Sequence, residues 1–201
     1  MPGVPDVYIE SSYRGHKAIP GKYTVILKAG EQKLFTEAEI LANPLYPTDA
    51  VTYKAYDVIM SSMEKELTAM HKMVNSMNEK RLQLESLLAT LGDEKYSALK
   101  AEGGALAKKM KAWDEDMIQR KTKVYDDADN FPAKFTANYL FLINQTESEI
   151  PRVNQPSLDR MKELNAEWAT LKNRGVEILD KNIPELNKKF WEAGVGAVWK
   201  N

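Results

Sequence analysis

Two hydrophobic periods divide the chain. Tyr23, Val25 and Leu27 fall on one face at period two, and Leu34, Thr36, Ala38 and Ile40 alternate likewise beyond Ala29-Gly30, which predicts an antiparallel β-hairpin. Val7-Tyr8-Ile9 is a candidate third strand. Three short strands cannot enclose a sandwich core, and their edges stay open to other chains. The β region therefore reads as the incomplete end of a domain whose remainder lies upstream in a longer polypeptide or on a partner. The competing reading is a small sheet packed on the helices that follow.

From Thr48-Asp49 the period changes. Tyr53, Tyr56, Met60, Met63, Leu67, Met70, Val74, Met77, Arg81, Leu84, Leu88 and Leu91 step by three and four, a heptad seam of roughly 59 Å at about 1.5 Å per residue. Thr48 or Asp49 is the expected N-cap, and Gly92 is expected to end the helix in a left-handed conformation. A second seam runs Tyr96, Leu99, Gly103, Leu106, Met110, Trp113, Met117, Arg120, Val124. Two seams joined by a short turn predict an antiparallel helical hairpin. Gly103-Gly104 is its weak point: either the second helix starts after it or two backbones approach there.

Phe131-Pro132 should open a third helix, with Phe135, Tyr139, Leu142, Ile143 and Ile150 on one face and Leu140 and Phe141 widening it almost all round. Ser157 is the expected cap of a fourth, striped by Met161, Leu164, Trp168, Leu171, Gly175 and Ile178. Beyond it the stripe Leu179, Ile183, Leu186, Phe190 is shifted by one residue, with Pro184 at the phase change, so a kink or break is expected there. Gly194 to Trp199 reads as a docking segment. The fold class is mainly α: an antiparallel bundle of about four helices with a long protruding hairpin, preceded by a small incomplete antiparallel β segment. Residues 1–44 hold the terminal strands of the sandwich and 45–201 the bundle.

Composition removes several chemistries. The chain has 201 residues, 43% hydrophobic and 28% charged, with net charge -1, so no global field attracts nucleic acid or anionic membrane. No cysteine is present, which removes thiolate catalysis, zinc–thiolate sites, iron–sulfur clusters and disulfides. The longest apolar run, Tyr139 to Ile143, is far short of the roughly 20 residues that cross a bilayer. The start lacks the basic and apolar regions of a secretory signal.

Each candidate motif fails on spacing or context. Gly15 to Lys22 has five residues between its glycines, Tyr23 at the Ser/Thr position, and a strand after it instead of a helix N-terminus, so it is no phosphate loop. Asp126-Asp127-Ala128-Asp129-Asn130 lacks the glycine turn and distal glutamate of a calcium hand and reads as a solvated helix end. A di-iron bundle needs Glu-x-x-His pairs, whereas Thr68 precedes His71 by three. His71 reads as a seam flank, and Asp114-Glu115-Asp116 as a mostly outward charged face. No serine sits in a nucleophile elbow. Six of the methionines, Met60, Met63, Met70, Met77, Met110 and Met117, fall on the seams and read as core filling. Asn144-Gln145-Thr146 is a glycosylation sequon by pattern on an enclosed helix.

The run Tyr13-Arg14-Gly15-His16-Lys17-Ala18-Ile19-Pro20-Gly21-Lys22-Tyr23-Thr24-Val25, then Asn43-Pro44, then a long helical hairpin, resembles the C-terminal region of large exported bacterial proteins with an N-terminal sortilin-like or BNR-repeat β-propeller. Such proteins are often labelled glycosyl hydrolase or sialidase-like. The loop around Pro156, Ile183-Pro184-Glu185-Leu186-Asn187 and the closing Gly194 agree with it. The resemblance implies that the β segment completes an immunoglobulin-like sandwich between propeller and helices, and that the protein is exported. No propeller repeats occur in this chain, and its matching motifs are turn, cap and packing residues that name no chemistry.

The expected function is a non-catalytic C-terminal accessory module, without cofactor or metal, that packs on a β-propeller or β-sandwich portion of a longer polypeptide or on a partner protein. Tyr8, Tyr13, Trp191, Val198 and Trp199 are the candidate interface residues, as aromatic and apolar anchors near the chain ends; equally, they could close this chain's own core. Two other classes compete: a supporting part of a propeller hydrolase whose active site lies outside this chain, and a self-associating coiled coil.

Overall fold

A computed structural model of the chain describes residues 3–9 and 11–198. Two strands, β1 (Gly21–Ala29) and β2 (Gln32–Ile40), form a two-stranded antiparallel sheet, followed by helices that make up most of the chain. Register runs from Gly21 opposite Ile40 to Ala29 opposite Gln32. The two-residue turn places Gly30 at φ 59, the left-handed value that the first central position of a tight hairpin turn needs and glycine adopts without strain.

Helix α1 (Ala50–Thr90) has 41 residues, about 61 Å of rise. Asp49 is its N-cap, the side chain accepting from Thr52 N at 2.7 Å. From Tyr53 to Met77 its seam is buried, as is Leu84. These residues face α2 (Asp93–Met117), α4 (Phe135–Glu147) and α5 (Gln155–Glu177) of the same chain. Arg81 sits half-buried on that seam, its guanidinium bonded to Glu85 at 2.7 Å and Asn78 at 2.9 Å, so its charge is met locally.

Several local expectations are corrected. Gly92 is not left-handed: it has φ -65 and ψ 145 and precedes α2, while α1 stops at an extended Leu91. The second helix ends at Met117, short of Arg120 and Val124. Arg120 has turned back to bind buried Asp114 at 2.5 and 2.6 Å, and a short helix α3 (Asp127–Asn130) follows. Helix α4 starts at Phe135, beyond Pro132, and its face is not closed all round, since Phe141 is 60% exposed. Asn154, not Ser157, caps α5, accepting from Ser157 N at 2.8 Å. Val7 to Ile9 form no strand, although Tyr8 N donates to Thr122 O at 2.9 Å.

Pro184 does not break the last helix. The one-residue phase shift is absorbed by a π turn, Ile178–Asn182, in which Ile183 N reaches back to Ile178 O, and α6 (Ile183–Glu192) continues. A π turn spends one extra residue per turn, so Ile178 and Ile183 both face the core across a five-residue step. Proline fits just after it, where its missing N–H is offset by the reorganised hydrogen bonding. Helix α6 runs beside α2, joined by Lys189 to Glu102 at 2.5 Å.

Helices also approach closely at two glycines. A Cβ on Gly103 would lie 2.6 Å from Leu88 Cδ2, which places Leu88 of α1 directly on α2. A Cβ on Gly175 would lie 2.6 Å from Met73 Sδ and 3.0 Å from Trp113 Cζ2, so α5 there lies against the fully buried indole of α2, which donates to Leu171 O of α5 at 2.7 Å.

The described residues up to Pro44 behave as two parts. A strap before β1 lies on the helices: Val4 is buried, Gly3 O accepts from Asn75, and Ile9, Tyr13 and Ile19 pack against the core. Every residue from Lys22 to Pro47, in contrast, is exposed. The hairpin therefore does not pack on the helices that follow it.

Candidate docking surface

Antiparallel pairing sorts the hairpin side chains onto two faces. One carries Tyr23 opposite Ala38, Val25 opposite Thr36 and Leu27 opposite Leu34, with Ile40 at its base. The other carries Lys22 opposite Glu39, Thr24 opposite Glu37 and Lys28 opposite Lys33, interrupted by Ile26 opposite Phe35. The first face has the composition of a sandwich interior, yet Val25 is 50% exposed, Leu27 60% and Leu34 64%. Leu41, Leu45 and Tyr46 continue the exposed apolar surface toward α1. Both outer strand edges are unpaired within the described sheet.

An isolated two-stranded hairpin is marginal in water, because it buries little apolar area against the entropy of ordering its backbone. Fully burying one aliphatic side chain yields about 1.5–3 kcal/mol. The five apolar residues on the first face stand roughly half in water, so covering them would yield on the order of 5 kcal/mol.

The proposed anchors divide differently. Tyr8 is half-buried, edge-on to Tyr125 with ring centres 6.4 Å apart. Tyr13 packs on His71 at 5.7 Å, and burial raises its phenol pKa. Val198 is buried, its backbone held by both ends of the Asn187 amide at 2.8 Å. Tyr13 and Val198 help close the chain's own core, whereas Tyr8 lines a surface hollow with Ile118, Thr122 and Phe141. Trp191 is 77% exposed and stands beside Leu179 and Pro184 at a shallow hollow. Trp199 lies outside the described residues.

Two polar clusters were not legible in the sequence. Asp114 belongs to a run expected to face mostly outward, yet it is buried, because α2 ends one turn later and Arg120 folds over it. His16 is held between two carboxylates of α1, with Nδ1 3.0 Å from Glu64 Oε1 and Nε2 3.2 Å from Asp57 Oδ1. His71, expected on a flank, is buried beneath Tyr13. The spacing between His16 and its partners gives no local signal, since the strap crosses α1 only in three dimensions.

The acidic run near Asp126 serves a turn: Asp127 Oδ2 accepts from Lys123 N at 2.8 Å and Val124 N at 3.2 Å. Among the described residues no group of three His, Asp or Glu side chains is arranged to hold a metal ion. No described helix is long and apolar enough to cross a membrane.

No family model matches the chain, and neither a curated protein nor a solved structure does.

Proposed function

We propose that this chain is a non-catalytic accessory module whose helices hold a β-hairpin out for docking onto a β-sandwich or β-propeller portion of a longer polypeptide or a partner protein. One observation carries the reading: a hairpin with a sandwich-like apolar face has every residue of both strands after Gly21 in water. A sheet laid on that face would supply the missing half of a core, and a strand added to an edge would satisfy its free amides and carbonyls. The helical part acts through shape, as a base that fixes where the hairpin points. The resemblance to the end of exported propeller proteins is consistent with this role and with an exported location.

A self-associating coiled coil through the α1 seam is disfavoured, because those side chains already face other helices of the same chain. The test is site-specific photo-crosslinking in the native host from Leu27 and Leu34, with Glu102 on α2 as a control. Adducts that sequence as a β-rich segment, formed from the hairpin and not from Glu102, are expected. Equal yields from all three positions, or adducts only with another copy of this chain, would overturn the reading.

A further inference from the structure

The strap that carries the hairpin crosses α1 at His16, five residues before β1 begins at Gly21. Its ring is bonded on both sides: Nδ1 to Glu64 at 3.0 Å and Nε2 to Asp57 at 3.2 Å. His16 N also donates to Glu64 Oε1 at 2.7 Å. Only the imidazolium has an N–H on both nitrogens. A neutral ring would turn a lone pair toward one of the carboxylates.

We infer that His16 is a charged latch: as an imidazolium held between Asp57 and Glu64 it fastens the root of the hairpin to α1, and loss of its proton loosens that root. Between it and β1, Ile19 and Pro20 are half-buried, and the Tyr23 hydroxyl donates back to Ile19 O at 2.6 Å; the other root of the hairpin runs from Leu41 to Pro47, all exposed, into α1. The latch sits where a small change of backbone angle is carried along the full length of two strands.

The surroundings fit this role. Lys54 binds the second oxygen of Asp57 at 3.1 Å, so that carboxylate is shared between two cations. The Tyr56 ring meets the imidazole edge-on at 5.9 Å, and its hydroxyl donates to Glu147 O of α4. Burial, helped by Glu147 and Glu64, raises the Tyr56 phenol, which stays neutral across the relevant range. On the strap, Arg14 and Lys17 are exposed cations. Burial alone would lower the pKa of His16. The hydrogen bonds to Asp57 and Glu64, with their charges, outweigh it and hold the group above 6.5.

The sign follows from that direction. A raised folded-state value means that the latch contributes fully below pH 6.5 and is lost as pH climbs through the higher folded value. On the acid side, His16 and then Lys54 lower the Asp57 carboxyl from 3.8, so its half of the latch fails only below that point.

The latch itself stands apart from the docking reading, and the experiment uses the free chain so that the two can fail separately. Histidine NMR titration is combined with amide exchange across the strap, corrected for intrinsic rates, in the wild type, His16→Gln and the double variant Asp57→Asn/Glu64→Gln. His16 is expected to titrate above 6.5 in the wild type and below it in the double variant, where burial is left without the two charges that outweigh it. Protection of the backbone amide at position 16, which donates to Glu64, is expected to fall roughly tenfold, equivalent to about 1.4 kcal/mol, as His16 deprotonates, and to be low at every pH in His16→Gln. Far-UV circular dichroism checks that the helices persist. A His16 that titrates at or below 6.5, or protection at position 16 in His16→Gln equal to wild type, overturns the latch.

Discussion

Two glycines of one type but opposite surroundings give the sharpest test of the packing. At Gly175 a Cβ would stand 2.6 Å from Met73 Sδ, 3.0 Å from Trp113 Cζ2 and 3.1 Å from Trp113 Cε2. Met73 is only half-buried and its thioether can swing away. Trp113 cannot: it is wholly buried, and its indole N–H is fixed to Leu171 O, one turn before Gly175 on the same helix. Forcing a methyl into such a site costs about 1–3 kcal/mol, and straining the indole hydrogen bond adds up to about 1 kcal/mol. Alanine returns about 1 kcal/mol of helix propensity. The net expectation for Gly175→Ala is a loss of about 2 kcal/mol. Gly104 also lies inside a helix, but nothing stands within 4 Å of its Cβ position, so Gly104→Ala should gain up to about 1 kcal/mol. Urea unfolding followed by circular dichroism reads both as shifts of midpoint at constant slope. The reasoning is refuted if Gly175→Ala is as stable as the wild type, or if both substitutions move the midpoint in the same direction.

Further consequences follow from single contacts. Asp114→Ala leaves Arg120 without its bidentate partner in a site where the carboxylate is almost wholly enclosed; a loss of about 2–3 kcal/mol is expected, read by thermal unfolding, and a shift below 0.5 kcal/mol would show that the pair is solvated. Asn187→Ala removes both bonds that hold Val198, so limited proteolysis should cut the C-terminal tail faster while the helices remain resistant; unchanged cleavage would count against the clip. Replacing Leu27 and Leu34 by glutamate should leave helix stability within about 0.5 kcal/mol, because neither packs on a helix, and should reduce binding of an apolar dye; a large stability loss would mean that the hairpin supports the bundle.

Short-range chemistry made much of this protein legible. The three-and-four spacing from Tyr53 to Met77 dictates a long amphipathic helix because side chains at those intervals share one face whatever lies opposite. Alternation in Tyr23, Val25 and Leu27 sets one apolar face of the hairpin in the same way, and Gly30 sets its turn. The shifted stripe around Pro184 disclosed a discontinuity, although whether a break or a π turn absorbed it depended on keeping both Ile178 and Ile183 against the core. Helix ends were less legible: several residues near Ser157 and Gly92 can cap, and the choice follows from where neighbouring helices force the chain to turn.

What the sequence could not contain was adjacency between distant segments. The strap's crossing of α1 creates the His16 cluster, the fold-back of Arg120 encloses Asp114, and the approach of α5 to α2 sets Trp113 on Gly175. Tyr13 and Val198 have the composition of interface anchors, and tertiary packing spent them on the protein's own interior. Periodicity records which side chains share a face of one element; only the folded arrangement decides which of those faces meet each other, and which, like the hairpin's, are left to meet something else.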